Sequence, residues 1–86
     1  MTTRAYTIEA GRHIIRAEDV VRVTPGGSDR RGYRARLKWA EVDDDGGVVS
    51  VTVFGGPGFD PDRPASQQTG ICQWRTYCPD RVTRVP

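Results

Sequence analysis

Arg34, Arg36 and Lys38 alternate with Tyr33, Ala35, Leu37 and Trp39, and that period of two places three cations on one face of a half-buried strand. A second alternation follows the acidic run Asp43-Asp44-Asp45-Gly46-Gly47, with Val49, Val51 and Val53 set against Ser50, Thr52 and Phe54. Paired as a hairpin, the two segments carry guanidinium and ammonium groups, hydroxyls and one aromatic ring on a common platform. Cations that hold phosphates, beside a ring on which a base can stack, are the means by which small β domains grip single-stranded nucleic acid. A solvated face that keeps an antiparallel sheet soluble has the same pattern.

The turn decides which residues share that platform. A three-residue loop, Asp44-Asp45-Gly46, with Gly46 in the left-handed conformation, predicts that Trp39 lies opposite Val51 and Leu37 opposite Val53. A two-residue Asp45-Gly46 turn sets Lys38 beside Val53, mixing charge with core, and is the poorer solution. The predicted outer face is therefore Arg34, Arg36 and Lys38 beside Ser50, Thr52 and Phe54.

Other reactive residue types are sparse. The chain has one histidine and two cysteines. His13 has no neighbouring nucleophile and acid, so no catalytic constellation is legible. Cys72 and Cys78 stand about 20 Å apart on a continuous strand, beyond disulfide reach, and their spacing is not that of a zinc site. Asp43–Asp45 sits at a turn apex, where acidic residues serve solvation and turn geometry. Gly26-Gly27 and Gly55-Gly56 open no helix and read as turn elements rather than a phosphate loop. The expectation is a non-catalytic binding module with no metal and no cofactor.

The elements that must carry these residues are strands. Ten valines stand against a single leucine among 86 residues, and valine favours pleated strands where leucine favours helices. Candidate strands are Thr3–Ala10, His13–Arg16 and Glu18–Thr24, then the two hairpin arms, Gly70–Tyr77 and Val82–Val85. Ala17–Asp19 is the one place for a short helical turn. Within Gly70–Tyr77, Ile71 and Tyr77 fall on one face and Cys72, Trp74 and Thr76 on the other. The predicted fold is all-β: a single domain over 1–86, an SH3-like or Sm-like antiparallel barrel or strongly bent sheet of five to six strands. The core of so short a chain is thin.

Two long connections interrupt the pattern, Pro25–Asp29 and a proline-rich loop over 55–70. The second carries Phe59, which either anchors the loop to the barrel or, with Arg63, meets a partner. Thirteen basic against eleven acidic residues give a formal charge of only +2. Twelve of the cations are arginines, suited to phosphate and carboxylate. GC-rich base composition yields the same excess, so placement carries the argument and the total does not. Nothing resembles a signal peptide or membrane span, which predicts a cytoplasmic protein.

The segment Trp74-Arg75-Thr76-Tyr77-Cys78-Pro79-Asp80-Arg81-Val82 resembles the closing strand of WYL domains, which commonly reads Arg-Thr-Phe, two variable residues, then Asp-Arg-Ile. Those domains are Sm-like or SH3-like barrels of bacterial transcription regulators and phage-defence proteins, associated with sensing nucleotide or nucleic-acid ligands. The resemblance implies that Arg75 and Arg81 border a ligand site. It covers about a tenth of the chain, and the Trp-Tyr-Leu signature of the family has Trp39-Ala40-Glu41 in its place.

Two functions from different classes stay open at this level. One is a nucleic-acid or nucleotide-binding barrel using Arg34, Arg36, Lys38, Thr52 and Phe54, with Arg75 and Arg81. The other is a protein-interaction module, such as an inhibitory accessory protein of a phage or mobile element, working through the loop and exposed strand edges. Edge-to-edge pairing into a homodimer suits a thin core as well.

Overall fold

A computed structural model describes residues 1–10, 13–24, 32–68 and 72–85. The expected loop Pro25–Asp29, the break at Gly11 and the strand start at Gly70–Ile71 lie outside these residues. The strands are β1 (Thr3–Ala5), β2 (Thr7–Ala10), β3 (His13–Arg16), β4 (Val20–Val23), β5 (Tyr33–Val42), β6 (Val48–Gly55), β7 (Gln73–Tyr77) and β8 (Val82–Arg84). Six of them form one antiparallel sheet in the order β7-β6-β5-β4-β8, with β1 also paired to β5, and β2 and β3 form a separate hairpin.

The predicted first strand is two strands, broken at the exposed Tyr6. β1 pairs with the end of β5, whereas β2 pairs with β3 and points Ile8 and Ile15 together into the core. The chain changes partner at that corner, and one straight strand cannot serve both ladders. The turn at Ala17–Asp19 is not helical. It is a β-turn closed by the Asp19 amide donating to the Arg16 carbonyl at 3.0 Å, with Glu18 at φ 75°. The helical turns are short 3-10 segments at Ala65–Gln67 and Pro79–Arg81.

The hairpin loop is as expected. The Gly46 amide donates to the Asp43 carbonyl at 3.0 Å, the Asp43 amide to the Gly47 carbonyl at 2.9 Å, and Gly46 has φ 83°. Leu37 lies opposite Val53, but Trp39 lies opposite Thr52 rather than Val51, because irregularities at Leu37/Trp39 and Glu41/Val42 shift the register out and back. The first falls where β5 exchanges β4 for β1 as its neighbour. There Leu37 bonds to both the Glu18 amide and the Asp19 carbonyl, two residues facing one. Such bulges add twist and re-aim side chains. Ala40 takes the core position expected of Trp39, and Val49 is left exposed.

The core comprises Ile8, Ile15, Val21, Val23, Ala35, Leu37, Ala40, Val51, Val53 and Val82, with Tyr33, Val48 and Tyr77 packed against it. Tyr77 stands two strands from β5, level with Ala40, seven residues from Tyr33. In a flat sheet that offset alone is about 20 Å, yet the two hydroxyls are hydrogen bonded and the rings meet edge-on at 6.4 Å. The sheet is therefore strongly bent, and the tyrosines clasp it. No ladder joins β7 to β8 among the described residues, so the expected barrel is not closed by backbone pairing.

Burial, reinforced by the Tyr77 hydroxyl, raises the Tyr33 phenol well above its ordinary range, against a smaller opposing pull from Arg75. A folded state that holds this proton more tightly than the unfolded chain keeps its full stability below the free phenol pKa of about 10 and loses it as pH rises past that value. In melting curves from pH 8 to 11, wild type should decline steeply beyond pH 10. Tyr33→Phe should start lower at pH 8, by about 1 kcal/mol for the lost hydrogen bond, and decline less.

Candidate functional site

Alternation around the bulge sets the outer face of the sheet. Across the strands it reads Arg22 beside Arg34, then Val20, Arg36, Phe54 and Trp74, then Trp39, Thr52 and Thr76, then Arg4, Glu41 and Ser50. Arg22 and Arg34 are exposed and directly opposite each other, with no ion-pair partner among the described residues. Like charges so placed repel; an anion bridging them relieves the repulsion.

The aromatic residues gather beside these cations. The Trp74 ring lies 5.6 Å from both the Trp39 and the Phe54 ring. Arg4 stacks over Trp39 at 4.2 Å, and the Lys38 ammonium is 5.4 Å from the Trp74 centroid. Trp74 is 56% exposed on the edge strand β7, while Phe54 and Trp39 are half-buried beneath and beside it. Thr52 is buried and its hydroxyl bonds to Thr76 at 2.9 Å, so Thr52 supports the shelf and is not a free hydroxyl on it.

Next to this shelf opens a cleft of about 250 Å³ lined by Glu18, Arg36, Lys38, Phe54, Phe59, Pro61, Asp62, Arg63 and Pro64. Its far wall is the loop after β6. Phe59 is buried and anchors the loop. Gln68 clips the loop further, accepting from the Asp60 amide at 2.9 Å and donating to the Asp60 and Arg63 carbonyls at 2.7 and 2.8 Å. Arg36 ties it to the sheet, donating to the Pro61 carbonyl and, at 2.8 Å, to the Glu18 carbonyl. Lys38 pairs with Glu18 at 2.8 Å, and Arg63 with Asp60 at 3.4 Å.

Arg34, Arg36, Lys38, Thr52 and Phe54 thus share one face, with Phe59 and Arg63 beside it. Arg75 lies on the other side of the sheet, opposite Val53, with its guanidinium on Gln73 at 2.8 and 3.2 Å. Arg81 is exposed in the 3-10 turn after β7, its carbonyl accepting from the Thr24 amide at 2.8 Å. Neither adjoins the aromatic shelf.

Trp74, Trp39, Arg22, Arg4 and Glu18 complete the site and were not among the expected residues. The alternation put Trp74 and Thr76 on one face of their strand and Tyr77 on the other without saying which is outer; the pairing of Trp74 with Phe54 and of Thr76 with Thr52 makes theirs the outer one. Trp39 carried no such signal, because only the bulge takes it out of the core. Among the described residues, both cysteines are free, Cys72 half-buried and Cys78 exposed. Among the described residues, no cluster of three or more histidine, cysteine or acidic groups could hold a metal, and no helix is long and apolar enough to cross a membrane. Comparison of the chain with protein-family models, curated proteins and solved structures found no match in any of the three.

Proposed function

We propose that this chain is a non-catalytic module that binds single-stranded nucleic acid along the outer face of its bent, barrel-like sheet. The observation that carries the reading is the half-exposed Trp74, packed on Trp39 and Phe54 and flanked by a basic track through Arg22, Arg34, Arg36 and Lys38. A base stacks on Trp74, and the backbone runs over the arginines and past the mouth of the cleft at Arg63. The resemblance of Trp74–Val82 to WYL domains implies the same class of ligand, although Arg75 lies on the other side of the sheet and Arg81 in the turn before β8. A partner strand adding to the outer edge of β7 is the second reading, favoured by the exposed position of that strand at the end of the sheet among the described residues.

Binding of fluorescent single-stranded DNA and RNA at two salt concentrations tests the first reading. Affinity should fall as salt rises, with a slope reduced by about one in Arg34→Gln and in Arg63→Gln if each contacts one phosphate. No binding at low salt rejects the nucleic-acid reading. A saturable protein partner retained at high salt favours the second.

A further inference from the structure

We propose that the Glu18 carboxylate occupies the position that a phosphate group takes on Lys38, and so sets the affinity of the cleft for anions. The inference rests on the reading of the outer face as a phosphate-binding surface. Three observations carry it. The carboxylate lies 2.8 Å from the Lys38 ammonium, at the lining of the cleft and beside the Trp74 shelf. The Lys38 side chain is only 18% exposed, whereas that of Glu18 is 62% exposed, so the cation is fixed and the solvent-facing carboxylate is the partner an incoming anion displaces. Glu18 holds φ 75° at the third position of a β-turn, a conformation that glycine adopts freely and glutamate does not.

The turn need not move when the carboxylate leaves. Arg36 grips the Glu18 carbonyl at 2.8 Å, and the Glu18 amide donates to the Leu37 carbonyl at 2.7 Å. Displacement is a side-chain rotation that exchanges one oxyanion for another on the same ammonium.

Inorganic phosphate, pyrophosphate and a short labelled single-stranded DNA are titrated into wild type, Glu18→Gln and Asp62→Asn, with amide shifts around Lys38 as the readout for the small anions. Asp62 lines the same cleft without pairing to Lys38, so Asp62→Asn removes an equal charge and leaves the Lys38 pair intact. Glu18→Gln should bind pyrophosphate and DNA about fivefold more tightly than wild type, the upper end of what one solvent-facing ion pair that no longer competes is worth. Asp62→Asn should gain about twofold at most from general electrostatics. Equal gains in the two variants, or none in Glu18→Gln, overturn the proposal. If pyrophosphate binding responds to Glu18→Gln while DNA fails to bind, the Glu18 assignment stands and the nucleic-acid reading falls. DNA binding with indistinguishable variants gives the reverse.

Discussion

Trp74→Ala is expected to weaken binding of single-stranded DNA about ten- to a hundredfold while leaving the protein folded, the range of one lost base–aromatic stack. The stability cost is small because Trp74 sits on an edge strand, more than half exposed, and contributes nothing to the buried core. Trp39 and Phe54, half-buried with Trp74 in place, lose one ring neighbour each and keep their strand pairing. Trp74→Phe retains a ring and should keep most of the affinity. The salt dependence separates this loss from a phosphate contact. Stacking releases no counterions, so Trp74→Ala should lower affinity by the same factor at every salt concentration, whereas Arg63→Gln should flatten the slope. Fluorescence anisotropy across a salt series reads both quantities. Undiminished affinity in a folded Trp74→Ala would remove this shelf as the stacking surface.

The residues of this site differ in how openly the sequence displays them. Arg34, Arg36 and Phe54 belong to an unbroken alternation bounded by a turn whose glycine requirement is explicit, and they lie on the expected face. Trp39 obeys the same alternation, yet is carried to the outer face by a bulge that arises from β5 changing partners. That cause is tertiary, and no local pattern records it. Glu18 is hidden for a related reason: a left-handed turn position normally advertises itself with glycine, and this chain places a glutamate there. The valine-rich strands announced an all-β antiparallel sheet, but whether it closes as a barrel or only bends was left open, and the clasp between Tyr33 and Tyr77 joins residues 44 positions apart. Resemblance to a closing strand pointed to Arg75 and Arg81, yet β7 turns Arg75 away from the shelf that Trp74, its neighbour in sequence, helps build.

Gly55→Ala should be the most destabilising single-methyl substitution in the sheet, lowering stability by about 3 kcal/mol, at the upper end of what overpacking costs. A β-carbon at Gly55 falls 2.5 Å from the Ala35 β-carbon, 2.6 Å from its α-carbon and 2.6 Å from the Arg34 carbonyl oxygen. Two of those three are backbone of β5, and β5 is held there by β4 on its other side, so relief requires the sheet to open. For a domain of this size the melting temperature falls by about 12–24 °C. Ala35→Gly in the same background removes only the nearest of the three contacts and should restore only part of the loss. Gly46→Ala provides the contrast, since nothing lies within 4 Å of its added β-carbon and only its φ of 83° opposes the change. That strain is worth about 1 kcal/mol. Equal losses at the two glycines would mean that β5 and β6 separate easily at this point. The site would then lose its footing, because the ladder from Ala35–Gly55 to Arg36–Phe54 is what holds the basic track against the aromatic shelf.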